Sequence, residues 1–262
     1  MSQFTEKYGP WALVTGAAEG LGAEFATQLA MQGINVILAD VQIEKAQQQA
    51  AHIAEQAKVK TLAVACDLAD GDFLLGLQTR LQGIEVGMLV CCAAVGATGS
   101  FVETPLEVMQ KAVQVNCMAT LTLVHHYAPT MLQRGSGGII IVASNSAYTG
   151  APYIANYAAT KAYDLSLAEA LWYEFAPQGI DVLGFSPQGT NTPGLRRGMP
   201  ALKEGEAPKG IMLPEEAVNI ALKALGRLPS IRPDLAEAFS QGREKIISAA
   251  GDFTRQLAIY RK

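Results

Sequence analysis

Six short apolar runs recur along the chain, at Trp11–Val14, Asn35–Ala39, Thr61–Ala65, Met88–Cys92, Ile139–Ala143 and Asp181–Phe185. Between them lie segments of helical length, Gly20–Gln32, Ile43–Lys58, Asp72–Gln82, Pro105–Gln133 and Tyr153–Ala176. A short apolar run without alternation reads as a strand buried on both faces, because a half-exposed strand would alternate with polar residues. Strand and helix alternating along most of the chain restrict the fold class to α/β, a doubly wound parallel sheet with helices on both faces. With 262 residues, half of them apolar, the chain can bury one large core, so a single domain over 1–262 is predicted.

Some boundaries are marked chemically. Thr104-Pro105-Leu106-Glu107 offers an N-cap hydroxyl, a proline for the first helical position and a glutamate to close a capping box, predicting a helix start there. Between Gly189 and Pro214 the composition turns to Gly, Pro, Thr, Lys and Arg, and residues 190–213 read as a mobile substrate lid rather than a linker. Pro214-Glu215-Glu216 then opens a helix with acids in its first turn, and Leu235–Tyr260 is helical in composition, with a weak strand before it.

Composition narrows the partners. Charged residues make up 17% of the chain, the net charge is −4, and no stripe of Lys and Arg is present, which argues against nucleic acid. No apolar stretch approaches the ~20 residues that span a bilayer. Met1–Lys7 also lacks a basic start followed by an apolar segment, so a soluble, cytoplasmic protein without a membrane partner is expected. Cys66, Cys91, Cys92 and Cys117 make no CxxC pair, and His52, His125 and His126 offer no ligand spacing; reduced thiols and no metal are expected. A small molecule is the expected partner.

The first strand runs into Thr15-Gly16-Ala17-Ala18-Glu19-Gly20-Leu21-Gly22 and then into a helix. Glycines in such a loop allow the tight turn, bare backbone for a pyrophosphate, and close packing of a helix whose N-terminus faces the phosphates. The spacing is Gly-x-x-x-Gly-x-Gly rather than Gly-x-Gly-x-x-Gly, so by itself it also fits an ordinary glycine-rich turn. Asp40 favours the dinucleotide. It ends the second strand, 20 residues after Gly20, where a carboxylate can accept both hydroxyls of an adenosine ribose and repel a 2′-phosphate. NAD is therefore expected in preference to NADP. Glu19, an acid where a phosphate-binding base would serve, points the same way, as does the lack of Lys or Arg between Asp40 and Lys45.

Tyr157 and Lys161, four residues apart in Tyr157-Ala158-Ala159-Thr160-Lys161, share a helix face. A neighbouring ammonium and the positive charge of an oxidised nicotinamide both favour phenolate over a phenol of reference pKa ~10, so Tyr157 can exchange a proton with an alcohol or carbonyl oxygen. Such a pair also occurs on solvated helix faces, and the wider set decides. The Thr-Gly-x-x-x-Gly-x-Gly loop is joined by Asp67 after the third strand, Asn116 on the fourth helix, Ser144 thirteen residues before Tyr157, and Tyr-x-x-x-Lys. Over roughly residues 10–194 this set resembles the short-chain dehydrogenase/reductase family, on a Rossmann-like order of elements.

The resemblance implies an NAD-dependent oxidoreductase that interconverts a secondary alcohol and a ketone by hydride transfer. By motif, Ser144 would hydrogen-bond the substrate oxygen, with Ser146 as the alternative, and Tyr157 would donate or accept the proton. Lys161 would bind the nicotinamide ribose, and Asn116 would hold a water of the proton relay. The implied cofactor site includes Gly16, Ala18, Glu19, Gly20, Leu21 and Gly22, then Asp40 and Val41, with Asp67 and Leu68 at the adenine. It continues through Cys92, Ala93, Tyr157 and Lys161 to Pro187, Thr190 and Thr192, the last against the nicotinamide carboxamide. Two departures stand out. Cys91-Cys92-Ala93-Ala94 replaces the family's Asn-Asn-Ala-Gly and reads as buried, inert thiols rather than a redox pair. Pro187-Gln188 replaces Pro-Gly, putting a long amide where it can shape substrate choice. The family resemblance also implies a homodimer or homotetramer, with the fourth helix, which carries His125 and His126, at an interface.

Glu6–Trp11, His125–Tyr127 and Leu213–Glu216 are similar to segments of bacterial bile-acid hydroxysteroid dehydrogenases and steroid or long-chain 3-ketoacyl reductases. This implies a bulky apolar alcohol or ketone, which Leu195, Met199, Leu202, Ile211, Met212 and Leu213 of the lid could cover. A dinucleotide-binding sensor without catalysis is the alternative, because fold alone does not establish chemistry. An isomerase or epimerase using the same Tyr and Lys ranks last, since it needs a larger substrate domain.

Overall fold

The computed structural model describes residues 2–235 and 237–259. Six strands follow the apolar runs: β1 (Trp11–Thr15), β2 (Asn35–Asp40), β3 (Thr61–Ala65), β4 (Val86–Cys91), β5 (Gly137–Val142) and β6 (Ile180–Phe185). Three two-residue strands follow them: β7 (Gly189–Thr190), β8 (Ile211–Met212) and β9 (Ser230–Ile231). The main sheet has seven strands in the order β3-β2-β1-β4-β5-β6-β9, every neighbouring pair parallel. The helices are α1 (Gln3–Tyr8), α2 (Gly20–Met31), α3 (Ile43–Ala57), α4 (Phe73–Arg80), α5 (Leu106–Val113), α6 (Ala119–Arg134), α7 (Ala155–Phe175), α8 (Pro193–Gly198), α9 (Pro214–Ala224) and α10 (Glu237–Ile259). This is the expected doubly wound Rossmann-like domain.

Alternation within each strand builds two apolar layers. Val14, Val36, Leu38 and Val90 pack with Phe25 and Leu29 of α2 and Ala217 and Val218 of α9. Leu13, Ile37, Leu89, Ile139 and Ile141 face the other way, onto Leu77 of α4, Leu123 and Met131 of α6 and Ala168 of α7. Each fully buried Leu or Ile contributes about 1.5–3 kcal/mol, so both faces of the sheet resist opening. The helix α1, for which the sequence reading had no signal, is held by Tyr8 Oη donating to Asp181 at 2.7 Å and by the Lys7–Asp181 ion pair at 3.2 Å.

Three sequence expectations change. The cap of α5 is Pro105 in extended backbone, not Thr104, whose hydroxyl instead donates to the Ser100 carbonyl at 2.8 Å; no side chain caps that helix. The single helix expected over Pro105–Gln133 is broken by one π turn, Gln114–Met118, between α5 and α6. The segment over 190–213, expected to be a mobile lid, is also more ordered than its composition implied. It contains α8, and its ends are tied by parallel pairing of β7 with β8, Gly189 with Ile211 and Thr190 with Met212. Helix α9 begins at Pro214 with Glu215 and Glu216 in its first turn, as its sequence predicts. Tyr260, the end expected for the last helix, lies outside the described residues.

Candidate active site

The main sheet reverses its order between β1 and β4, and ligands of such sheets bind in the crevice outside the C-terminal strand ends at that point. The glycine loop lies there. Gly16 adopts φ 66°, and a Cβ on it would stand 2.8 Å from the Ala93 Cα, so both dihedral and contact demand glycine. Thr15 Oγ1 accepts from the backbone N–H groups of Cys92 at 3.1 Å and Ala93 at 3.2 Å, joining the end of β1 to the stretch after β4. Asp40 is 7% exposed at the end of β2. Its Oδ2 accepts from Ala18 N at 3.0 Å and its Oδ1 from Gln42 N at 2.8 Å, while Val41 beside it is exposed. Past β3, Asp67 is exposed and its Oδ1 accepts from Ala69 N at 3.0 Å, whereas Leu68 is buried.

Glu19 caps α2 and meets two cations, Lys45 at 3.1 Å and Arg197 of α8 at 2.7 Å. Burial works to raise its carboxyl, but hydrogen bonds from Arg197 and Lys45 outweigh this and hold it below the usual carboxylate range. The acid that the sequence puts in the glycine loop is thus paired with cations from two other helices. Thr192 caps α8, accepting from Leu195 N at 3.2 Å, and its side chain rests on Gly20, where a Cβ would come within 3.1 Å. Thr190 is buried and donates to the Gln188 carbonyl at 3.1 Å.

The proton-handling candidates come from β5, α7 and the π turn. Ser144 leaves β5 in extended backbone and caps a 3-10 turn, Asn145–Tyr148, which is fixed by Asn145 N donating to the Pro187 carbonyl at 3.0 Å. Ser144 Oγ accepts from Ser146 N at 3.2 Å and from Ser146 Oγ at 3.0 Å, so the two serines form one hydroxyl pair. Tyr157 lies in the first turn of α7, its ring against Gly96; a Cβ there would stand 2.8 Å from Tyr157 Cδ2. Lys161 is 2% exposed, with Nζ 6.0 Å from the Tyr157 ring centroid, donating to the Val142 carbonyl at 2.7 Å and to Asp164 Oδ2 at 2.9 Å.

Asn116 is fully buried in the π turn. Its amide donates to the Val95 carbonyl and to Thr160 Oγ1, both at 2.9 Å, and its Oδ1 accepts from Val95 N at 2.9 Å. Both amide hydrogens are thus taken in clamping the Val95 segment onto α7, which leaves the side chain no donor for a water. The sequence reading missed this clamp and Gly96. It also missed Asp164, which shares the Lys161 face at i+3 and was the one of the three with a readable signal.

Burial pushes the Cys92 thiol up to about 12 and those of Cys66 and Cys117 to about 11, and it raises Cys91 as well. All four are free, and burial favours the neutral thiol over the reactive thiolate. Among the described residues no group of three His, Cys, Asp or Glu is placed to hold a metal, and no helix is long and apolar enough to cross a membrane. Of the apolar lid residues, Leu202 and Met212 are buried, Met212 in the core with α9, so they brace the lid rather than offer a lining; Met199 is exposed. A groove of about 330 Å³ lined by Phe101, Leu106, Met109, Val113 and Met118 runs beside α5, not over Ser144.

Comparison with known proteins bears on the family and the fold. A 7beta-hydroxysteroid dehydrogenase of Collinsella aerofaciens is 32% identical over 227 residues, 86% of each chain. The mouse protein named inactive hydroxysteroid dehydrogenase-like protein 1 is 35% identical over 187 residues, 70% of this chain and 56% of its own length. A solved 7beta-hydroxysteroid dehydrogenase superposes with a TM-score of 0.82 at 27% identity, covering 96% of this chain and 100% of that one. A short-chain dehydrogenase from Sphingobium yanoikuyae in complex with NADPH gives 0.79 at 27% identity, covering 92% and 96%. The short chain dehydrogenase family model matches residues 10–200, from the start of β1 through the glycine loop and the Tyr157–Lys161 helix to the lid, and the chain belongs to that family of NAD(P)-dependent oxidoreductases.

Proposed function

We propose that the protein interconverts a bulky apolar secondary alcohol and its ketone with NAD, a hydroxysteroid being the first substrate to try. The observation that carries this is a buried Lys161 ammonium 6.0 Å from the Tyr157 ring, at the sheet edge that also holds the glycine loop. The residues fit a dinucleotide: Gly16 keeps bare backbone against Ala93, and Asp40 is fixed where a ribose would meet β2. Gly16, Ala18, Glu19, Gly20, Leu21 and Gly22 would hold the pyrophosphate side, and Asp40, Val41, Asp67 and Leu68 the adenosine. Cys92, Ala93, Lys161, Pro187, Thr190 and Thr192 would hold the nicotinamide half. Bound there, the nicotinamide supplies or accepts the hydride.

The side chains do the rest. The Ser144 hydroxyl, oriented by Ser146, and Tyr157 Oη bind the reacting oxygen. Tyr157 takes the hydroxyl proton during oxidation and returns it during reduction. Lys161 keeps a positive charge near the phenol, Asn116 fixes the Val95 segment against α7, and the lid over 190–213 excludes water. Asp40 favours NAD, although a similar protein is known with NADPH. The apolar groove beside α5 supports a homodimer or homotetramer, to be checked by light scattering. Four free cysteines accord with a cytoplasmic setting.

A second reading has its own support: four mammalian relatives, 33–35% identical, are named inactive. Titration with NADH and NADPH, followed by nicotinamide fluorescence, and then oxidation of hydroxysteroids by wild type and Tyr157→Phe, separate the two. The expected result is NADH binding by both proteins and a loss of turnover of about 10²-fold or more in the variant. Binding without turnover of any alcohol or ketone by wild type would transfer the assignment to a dinucleotide sensor.

A further inference from the structure

The pair formed by Lys161 and Asp164 lies inside the protein, with side chains only 3% and 1% exposed. Lys161 Nζ spends one N–H on the Val142 carbonyl at 2.7 Å and a second on Asp164 Oδ2 at 2.9 Å. An ammonium has three donors, so these two bonds fix the direction of the third. The other Asp164 oxygen, Oδ1, is buried with no hydrogen-bond partner among the described residues. Leaving a carboxylate oxygen unmatched costs stability, and such groups in folded proteins call for a functional explanation.

We propose that Asp164 is a positioning residue for the proton chemistry: its carboxylate holds the Lys161 ammonium charged and fixed on the Val142 carbonyl, within reach of Tyr157. This deepens the alcohol–ketone reading and depends on it for the kinetic part of its test. An isolated ammonium this deeply buried loses its hydration and tends to give up its proton. Burial works in that direction at Lys161, but the charge and hydrogen bond of Asp164, with a contribution from Tyr157, outweigh it and keep its pKa above the ordinary lysine value. Burial lifts the Asp164 carboxyl above its usual range, and Lys161 draws it back.

The other titratable groups facing the pair are the Cys91 and Cys92 thiols at the end of β4, Cys117 in the π turn, and Tyr157 and Tyr163 on α7. The three thiols are all raised and stay neutral near pH 7. Asp164 is therefore the anion that answers the Lys161 charge. Asp164→Asn keeps the shape and removes that charge.

The experiment titrates the Lys161 side chain by NMR in protein labelled with carbon-13 at lysine, assigned by comparison with Lys161→Arg, in wild type and Asp164→Asn. Fluorescence with NADH shows whether the variant is folded. Wild-type Lys161 is expected to stay protonated to above the ordinary lysine value of ~10.4, and Asp164→Asn to lower its midpoint by at least about one pH unit. The pH profile of kcat should be displaced with it, and Asp164→Glu should restore part of both. An unchanged Lys161 midpoint overturns the proposal, as does a uniform loss of kcat at every pH, which is the mark of a merely structural residue. Should Asp164→Asn fail to fold, the wild-type protein decides: the Asp164 carboxyl carbon must respond in the same step as Lys161, and independent responses overturn the pairing. A lowered midpoint in a protein that turns over no alcohol or ketone keeps Asp164 as the counter-ion and removes only the proposed reaction.

Discussion

The Arg197 guanidinium donates to the Glu19 carboxylate at 2.7 Å, linking the lid helix α8 to the N-terminal cap of α2. Arg197 is largely exposed, so salt should weaken the link, and acid should release it. Because the Glu19 pKa is lowered in the fold, its contribution is complete above the unfolded value of ~4.3 and is lost as pH falls through the folded value below it. Glu19→Gln should give, near neutral pH, the faster hydrogen exchange over 193–198 that wild type shows only in acid. Equal exchange in both proteins at neutral pH would mean that the lid is held by other contacts.

Asp40 serves two masters at the end of β2, the backbone of the glycine loop and the expected ribose. Asp40→Asn must turn an amide N–H toward one of the N–H groups of Ala18 and Gln42. A mismatch of that kind costs about 1–3 kcal/mol, read as a lower urea midpoint. On the proposed reading the same change also removes the charge that would repel a 2′-phosphate, so the ratio of NADPH to NADH dissociation constants should fall by roughly tenfold, which is about 1.4 kcal/mol. A ratio that stays put would assign cofactor choice to other residues.

A second ionic clasp secures α10. Arg243 donates through two nitrogens to both oxygens of the buried Glu169, which also accepts from Ser230 Oγ at 2.7 Å. The Arg243 and Arg232 guanidiniums lie 5.4 and 5.1 Å from the ring of Tyr148, four residues past Ser144. Arg243 is 32% exposed, so removing the Glu169 charge from this part-buried pair costs about 1–3 kcal/mol. Glu169→Gln should lower the unfolding midpoint, speed exchange over 237–252 and reduce turnover by loosening the Ser144 turn. Exchange confined to α10 with turnover intact would separate that helix from the site.

The fold was legible because six short apolar runs leave little choice of architecture, and their ends were placed to within two residues; five are buried on both faces, while β3, at the sheet edge, is only half-buried. Tyr157, Lys161 and the glycine loop were legible because each is a fixed spacing within one turn of chain. The pairing of Glu19 was not legible because its partners lie far away in sequence, at Lys45 and Arg197, and only the tertiary fold brings them together. Asn116 was expected within one continuous helix, and the π turn that aims its amide at Val95 and Thr160 has no sequence signature. The Thr104 cap failed for a related reason: its hydroxyl found the Ser100 carbonyl, a competing bond within the preceding turn.

The pairing of β7 with β8 gives the lid a fixed base: residues 191–210 leave the body of the protein and return to it at adjacent points. The segment is therefore closed at its base by its own two-strand hem, so the entropic cost of lengthening it grows only slowly with the number of residues added. On the proposed function, substitutions between the two hem strands would alter what covers a substrate while leaving the hem pairing of Gly189 with Ile211 and Thr190 with Met212 in place.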